Sequence, residues 1–167
     1  MAYVITDPSI GLPPIAVTDT TATAGLGKVV RAKDSTYGEG EFIYLLGVTG
    51  TEVGSVVTYN ATTFQTALLT VTNGKNKGLP VAVAMSANVG SQYGWYQISG
   101  IAAVKAPNAM TVGADVFSLA ATPGSVDDAA VNGEQILNAK VSTTTGTPST
   151  GLALIEINRP FHQGQVV

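Results

Sequence analysis

Segment 79–106, LPVAVAMSANVGSQYGWYQISGIAAVKA, narrows the folds open to this chain more than any other part of it. Its spacing predicts three strands in close succession, at 79–85, 93–99 and 101–106. Val81, Val83 and Met85 fall on one face of the first strand, and Ala82 and Ala84 on the other. Alternation with a period of two places like residues on one side of a pleated ribbon. The second face carries alanine where a solvent-facing strand carries Thr, Lys or Glu. A strand with large apolar groups on one side and small ones on the other must be covered twice. The second cover is either another layer of this chain or a neighbouring subunit.

Composition points the same way. Only 11% of the 167 residues are charged, less than half the usual share of about 25%. With 45% hydrophobic residues, the chain does not have the composition of disorder. Abundant Thr, Val and Gly favour strands joined by tight turns over helices. Further strands are expected at 28–33, 41–48, 55–59, 68–72, 114–119, 136–143 and 152–157. Between them lie turn sequences such as Asp34-Ser35-Thr36-Tyr37-Gly38 and Asn73-Gly74-Lys75-Asn76. This punctuation indicates an all-β domain, a β-sandwich or a small β-barrel, over 28–158. Phe64, Ala67, Leu68 and Val71 also fit one face of a short helical turn, against which the neighbouring threonines argue. At 127–137 a helical start capped by Asp127 is interrupted by Gly133, and a turn leading into a strand is preferred.

Residues 1–27 read differently. Pro8, Pro13 and Pro14 remove backbone donors and break any clean alternation. The reading is an extended N-terminal arm, too apolar at Ile5, Ile10, Leu12, Ile15 and Val17 to lie free in water. Two sites for it remain open: edge strands on its own domain, or the surface of a neighbour. Residues 159–167 form a C-terminal tail.

Little here suggests catalysis. There is no cysteine, and the single histidine, His162, lies near the end of the sequence, where a solvated or contact residue is expected. A hydrolase triad needs a nucleophile, a base and an orienting acid together. The Asp127–Asp128 pair suits a turn, and Glu39 with Glu41 suits a guarded strand entrance. Asp127, Asp128 and Glu134 lack the oxygen-ligand ladder of a calcium loop, so no metal or other cofactor is expected. A net charge of −3 and a pI near 4.9 argue against a nucleic-acid partner. No apolar run approaches the length that spans a bilayer, and the N-terminus lacks a signal-peptide pattern. No membrane partner and synthesis in a cytoplasm are therefore expected. Tyr93, Trp95 and Tyr96 cluster at one strand start, suited to packing, to an interface, or to a sugar platform if Trp95 is exposed.

The stretches KVVRAKDSTYGEGEFIYLLG, LPVAVAMSANVGSQYGWYQISGIAAVKA and TGLALIEINRPF resemble the small decoration, or cement, proteins that coat the heads of tailed bacteriophages. The resemblance is one of pattern and spans most of 27–161. It implies a compact β domain, generally trimeric, that sits on the capsid exterior and locks neighbouring major capsid protein subunits together without an enzymatic step. Under that resemblance the candidate contact residues are Pro13, Pro14, Ile15 and Val17 of the arm, Trp95 and Tyr96, and Arg159, Phe161 and His162 of the tail. A carbohydrate- or receptor-binding module of a virion appendage is the alternative.

Overall fold

In the computed structural model, residues 3–7 and 10–164 are described; Pro8 of the arm and the last three residues of the tail lie outside them. The chain is all-β. Its strands are β1 (Val4–Ile5), β2 (Val29–Asp34), β3 (Gly38–Leu46), β4 (Val56–Tyr59), β5 (Thr66–Leu68), β6 (Val81–Ala84), β7 (Tyr93–Lys105), β8 (Asp115–Ser118), β9 (Val126–Asp127), β10 (Gln135–Val141) and β11 (Leu152–His162), with one short helix, α1 (Val71–Gly74). They join in an eleven-stranded antiparallel sheet ordered β1-β2-β3-β7-β11-β10-β8-β9, from which β6, β4 and β5 branch at β7. The sheet is not closed into a barrel, so of the two expected architectures the sandwich is the one consistent with it. An isolated bridge from Leu46 to Gln65 brings β5 back beside β3 and leaves the ladder open.

Strand β7 organises this arrangement. Two strands were expected at 93–99 and 101–106; the structure has one, running through Gly100. Its first half pairs with β3, matching Ile43 to Tyr96, and with β6, matching Ala84 to Tyr96. Its second half pairs with β11, matching Ala102 to Ile155. The change of partner falls at Gly100, whose φ is +98°. A Cβ there would lie 2.6 Å from the Glu39 carbonyl oxygen, so only glycine fits without a shift.

Both covers of β6 come from this chain. Val81 and Val83 pack with Val56 against Ala102, Val104, Ile155 and Ile157. Ala82 and Ala84 lie inside the curl of the other face, among Ile43, Leu45, Val57, Tyr96 and Ile98. Small side chains suit that face because strands β3, β7, β6 and β4 converge tightly around it.

The helical turn falls later than 64–71. Residues 66–68 pair with β4, and α1 begins at Val71, capped by Thr70, which accepts from Asn73 N while the Asn73 side chain accepts from Thr70 N at 2.8 Å. The tail is strand for its first residues, since β11 runs on to His162.

The described part of the arm lies on its own domain. Val4–Ile5 pairs with β2, and Asp19 bridges Tyr93 with two backbone hydrogen bonds of 2.8 Å. Ile15 is 1% exposed in a third cluster with Tyr3, Val30, Phe42, Tyr44 and Trp95. Of the two sites left open for this segment, the structure has it edging the domain.

Removing a fully buried isoleucine to alanine typically costs about 2–5 kcal/mol. Ile15→Ala should therefore lower Tm by roughly 5–15 °C, whereas Val17→Ala, at an exposed position, should leave it nearly unchanged. Calorimetry distinguishes the outcomes: equal, small effects at both sites would mean the segment does not close the core.

Candidate contact surface

The candidate contact residues divide by burial. Pro13, Ile15, Trp95, Tyr96 and His162 are buried, while Pro14, Val17, Arg159 and Phe161 are exposed. The structure brings Pro13, Ile15 and Trp95 together, but inside the domain. Trp95 Nε1 donates to the Pro13 carbonyl at 3.0 Å, and the Tyr44 ring meets the indole edge-on at 5.1 Å. Trp95 is fully buried, which removes it as an exposed sugar platform. Its burial follows from β7 lying between β3 and β6, with the N-terminal segment across its outer face. Tyr96 points into the opposite cluster, its hydroxyl beside Thr66, Asn88 and Thr51, and burial pushes the phenol up.

Arg159 and Phe161 lie on the outer side of β11. Arg159 adopts a positive φ of 47° and projects its guanidinium onto Glu41, Nη2 to Oε2 at 2.8 Å. Arg31 approaches the same carboxylate at 3.7 Å. Glu41 thus sits between two arginines whose side chains are 63% and 69% exposed. These three line a shallow groove with Glu39, Ser99 and Asn158. The sequence shows Glu39 and Glu41 only as a strand entrance; Arg159 reaches Glu41 because β3 and β11 both pair with β7 at Ser99. Exposed pairs of this kind contribute about 0–1 kcal/mol, so a partner's carboxylate can replace Glu41 at little cost.

His162 is the largest departure from expectation. Although close to the end of the sequence, it is 0% exposed, because its backbone N–H donates to Leu79 O at 2.9 Å and draws the end of β11 beneath α1. Its Nε2 lies 3.2 Å from Ser118 Oγ on β8. A Ser–His pair is a component of nucleophilic catalysis. Here Ser118 is only 3% exposed, and His162 Nδ1 has no hydrogen-bond partner, so no carboxylate orients the imidazole. This geometry suits packing. Among the described residues, no group of three or more His, Asp or Glu side chains is placed to hold a metal ion. Asp127 and Asp128 serve the turn: Asp128 accepts from Thr111 N at 2.7 Å, and Asp127 is bonded by Asn108 at 3.5 Å.

No protein-family model and no curated protein matches the chain.

Burial holds the His162 imidazole below its ordinary value of 6.5, against the opposing pull of the Gln163 backbone and the Glu134 carboxylate. The unfolded chain takes up its proton first as pH falls. Stability from this site is thus complete above about pH 6.5 and declines as pH drops toward the folded value. Between pH 7.5 and 5.5 the Tm of the unaltered protein should fall further than that of His162→Gln. Parallel pH profiles for the two proteins would contradict this assignment.

Proposed function

We propose that this chain is a structural protein of a tailed-bacteriophage head: a decoration protein that binds the capsid exterior as a homotrimer and ties together adjacent major capsid protein subunits. The observation that carries the reading is how the N-terminal segment splits its apolar residues. Tyr3 and Ile15 are buried in the domain, while Val4, Ile10 and Val17 face outward at 67%, 101% and 41% exposure. A segment held at fixed points that presents apolar side chains to solvent is suited to a protein–protein contact. The resemblance in sequence pattern supplies the kind of partner.

Charge supports it too. The chain carries few charges, and Arg31 and Arg159 sit exposed beside a single shared carboxylate. Interfaces are depleted in Lys, Glu and Asp and enriched in Arg and aromatic residues, as at Arg159 and Phe161. A standard interface buries about 800 Å² per partner, and a trimer seated on a shell needs two kinds of contact. Closed threefold symmetry would also shield short edge strands such as β1 and β9 from open-ended pairing.

Light scattering should give a trimer, and the protein should co-sediment with expanded empty capsids. Val17→Asp and Arg159→Gln should each weaken that binding about tenfold or more, with Tm changed by no more than a degree or two. A monomer with no affinity for capsids would overturn the proposal.

A further inference from the structure

We infer that the surface on either side of Arg159 is a docking site for an acidic peptide segment, one that carries an apolar side chain within two residues of its carboxylate. The site begins with a bulge in β11. Asn158, Arg159 and Pro160 stand between Ile157 and Phe161, where β10 has Asn138 alone. Pro160 has no N–H to give a ladder, which favours the irregularity at this point. A bulge re-aims the side chains it carries. With φ at 47°, Arg159 is set between two hollows and lines both of them. Such backbone is uncommon for a residue other than glycine and concentrates at ligand clamps.

The first hollow supplies donors. It encloses about 360 Å³, and Arg31, Glu39, Glu41, Ser99 and Asn158 line it with Arg159. Arg159 Nη2 donates to Glu41 Oε2 at 2.8 Å, whereas Arg31 Nε stops 3.7 Å from Oε1, beyond hydrogen-bond length. Two guanidinium forks therefore face one carboxylate. A second carboxylate would take the donors left over, in the bidentate geometry that guanidinium favours. The other acids nearby have counterparts of their own: Lys33 stands opposite Glu39 in the ladder, and Asp7 accepts from Arg31 N at 2.8 Å.

The second hollow, on the other side of Arg159, is apolar. It encloses about 180 Å³ among Tyr59, Pro80, Ile98 and Phe161. A cavity of about 150 Å³ holds a benzene ring, so there is room for one aromatic or branched side chain. The Tyr59 ring is half-buried and Phe161 is exposed, which leaves this apolar lining open to a partner. Burial pushes the Tyr59 phenol up and the Arg159 guanidinium pulls it down, as expected with the cation at the rim. An arginine beside exposed aromatic rings is the composition of an interface hot spot.

Other ligands fit less well. A free phosphate would use the arginines and leave the apolar hollow unfilled. A nucleic acid would meet Glu39 and Glu41 on a chain of net charge −3. The inference rests on the contact reading of Arg159 and Phe161, and adds to it the chemistry of the segment received.

The test is a ¹⁵N–¹H NMR titration of the full chain with end-blocked serine peptides in which Phe or Leu lies one or two residues before or after Asp. At least one should give saturable shifts of the Arg31 and Arg159 Nε–H signals and of amides within 78–81, 98–99 and 158–161. Replacing its Asp by Asn, or its apolar residue by Ser, should weaken binding about tenfold. Arg31→Gln and Phe161→Ser in the protein should do the same, while Val17→Asp should bind peptide as the unaltered protein does. The inference fails if no peptide moves these signals, if the Asn peptides bind equally well, or if binding persists undiminished in both groove variants. It also fails if Arg31→Gln and Phe161→Ser split an oligomer that binds no peptide, which would give the groove to a neighbouring copy. Capsid binding without peptide binding would remove this inference and leave the decoration reading standing; peptide binding without capsid affinity would do the reverse.

Discussion

Strand β7 has to change partners along its length, and the rest of the domain is arranged to let it. Its first half is hydrogen-bonded between β3 and β6, and its second half runs along β11. The requirement is met by one residue without a side chain, Gly100, at the crossing point. There the backbone must turn while remaining paired, and the Glu39 carbonyl stands where a Cβ would go. From that crossing follow the three apolar clusters: one between β6 and the β7–β11 half, one inside the curl of β3, β7, β6 and β4, and one beneath the N-terminal segment.

The same crossing places the surface groups. Ser99 is opposite both Glu41 and Asn158, so residues far apart in sequence, Arg31, Glu41 and Arg159, become neighbours. It also decides the fate of the aromatics. Trp95 and Tyr96 are adjacent in a strand and must point to opposite faces. Since both faces are covered, both rings are lost to the surface, where Val4, Ile10, Val17 and Phe161 are among the exposed apolar residues.

Local alternation was readable where the two-residue period is clean. The β6 run VAVA has its valines in one cluster and its alanines in another, as the pattern requires. Periodicity does not reveal what covers a face, because the cover is set by strands far away in sequence. Gly100 looks like a break between strands, since glycine ends many of them, yet its positive φ bends the ladder without interrupting it. Strands β1 and β9, two residues each, carry no local signal and exist only through pairing with β2 and β8. His162 shows the limit of arguing from position: nearness to a chain end suggests solvent, but the continuation of β11 to Leu79 buries it. Arg159 was legible as a contact candidate from its type, whereas its partner Glu41 was not, because their meeting depends on the shared register at Ser99.

The central functional claim is that this β domain is an external component of a capsid, with its apolar N-terminal residues turned to the shell. Electron cryomicroscopy of expanded capsids incubated with the protein tests it most directly. The account predicts added density on the outer surface in groups of three, fitted by the domain with Val4, Val17 and Arg159 against the major capsid protein or a neighbouring copy. Capsids with no added external density at saturating protein would contradict it, as would density in which those residues face only solvent.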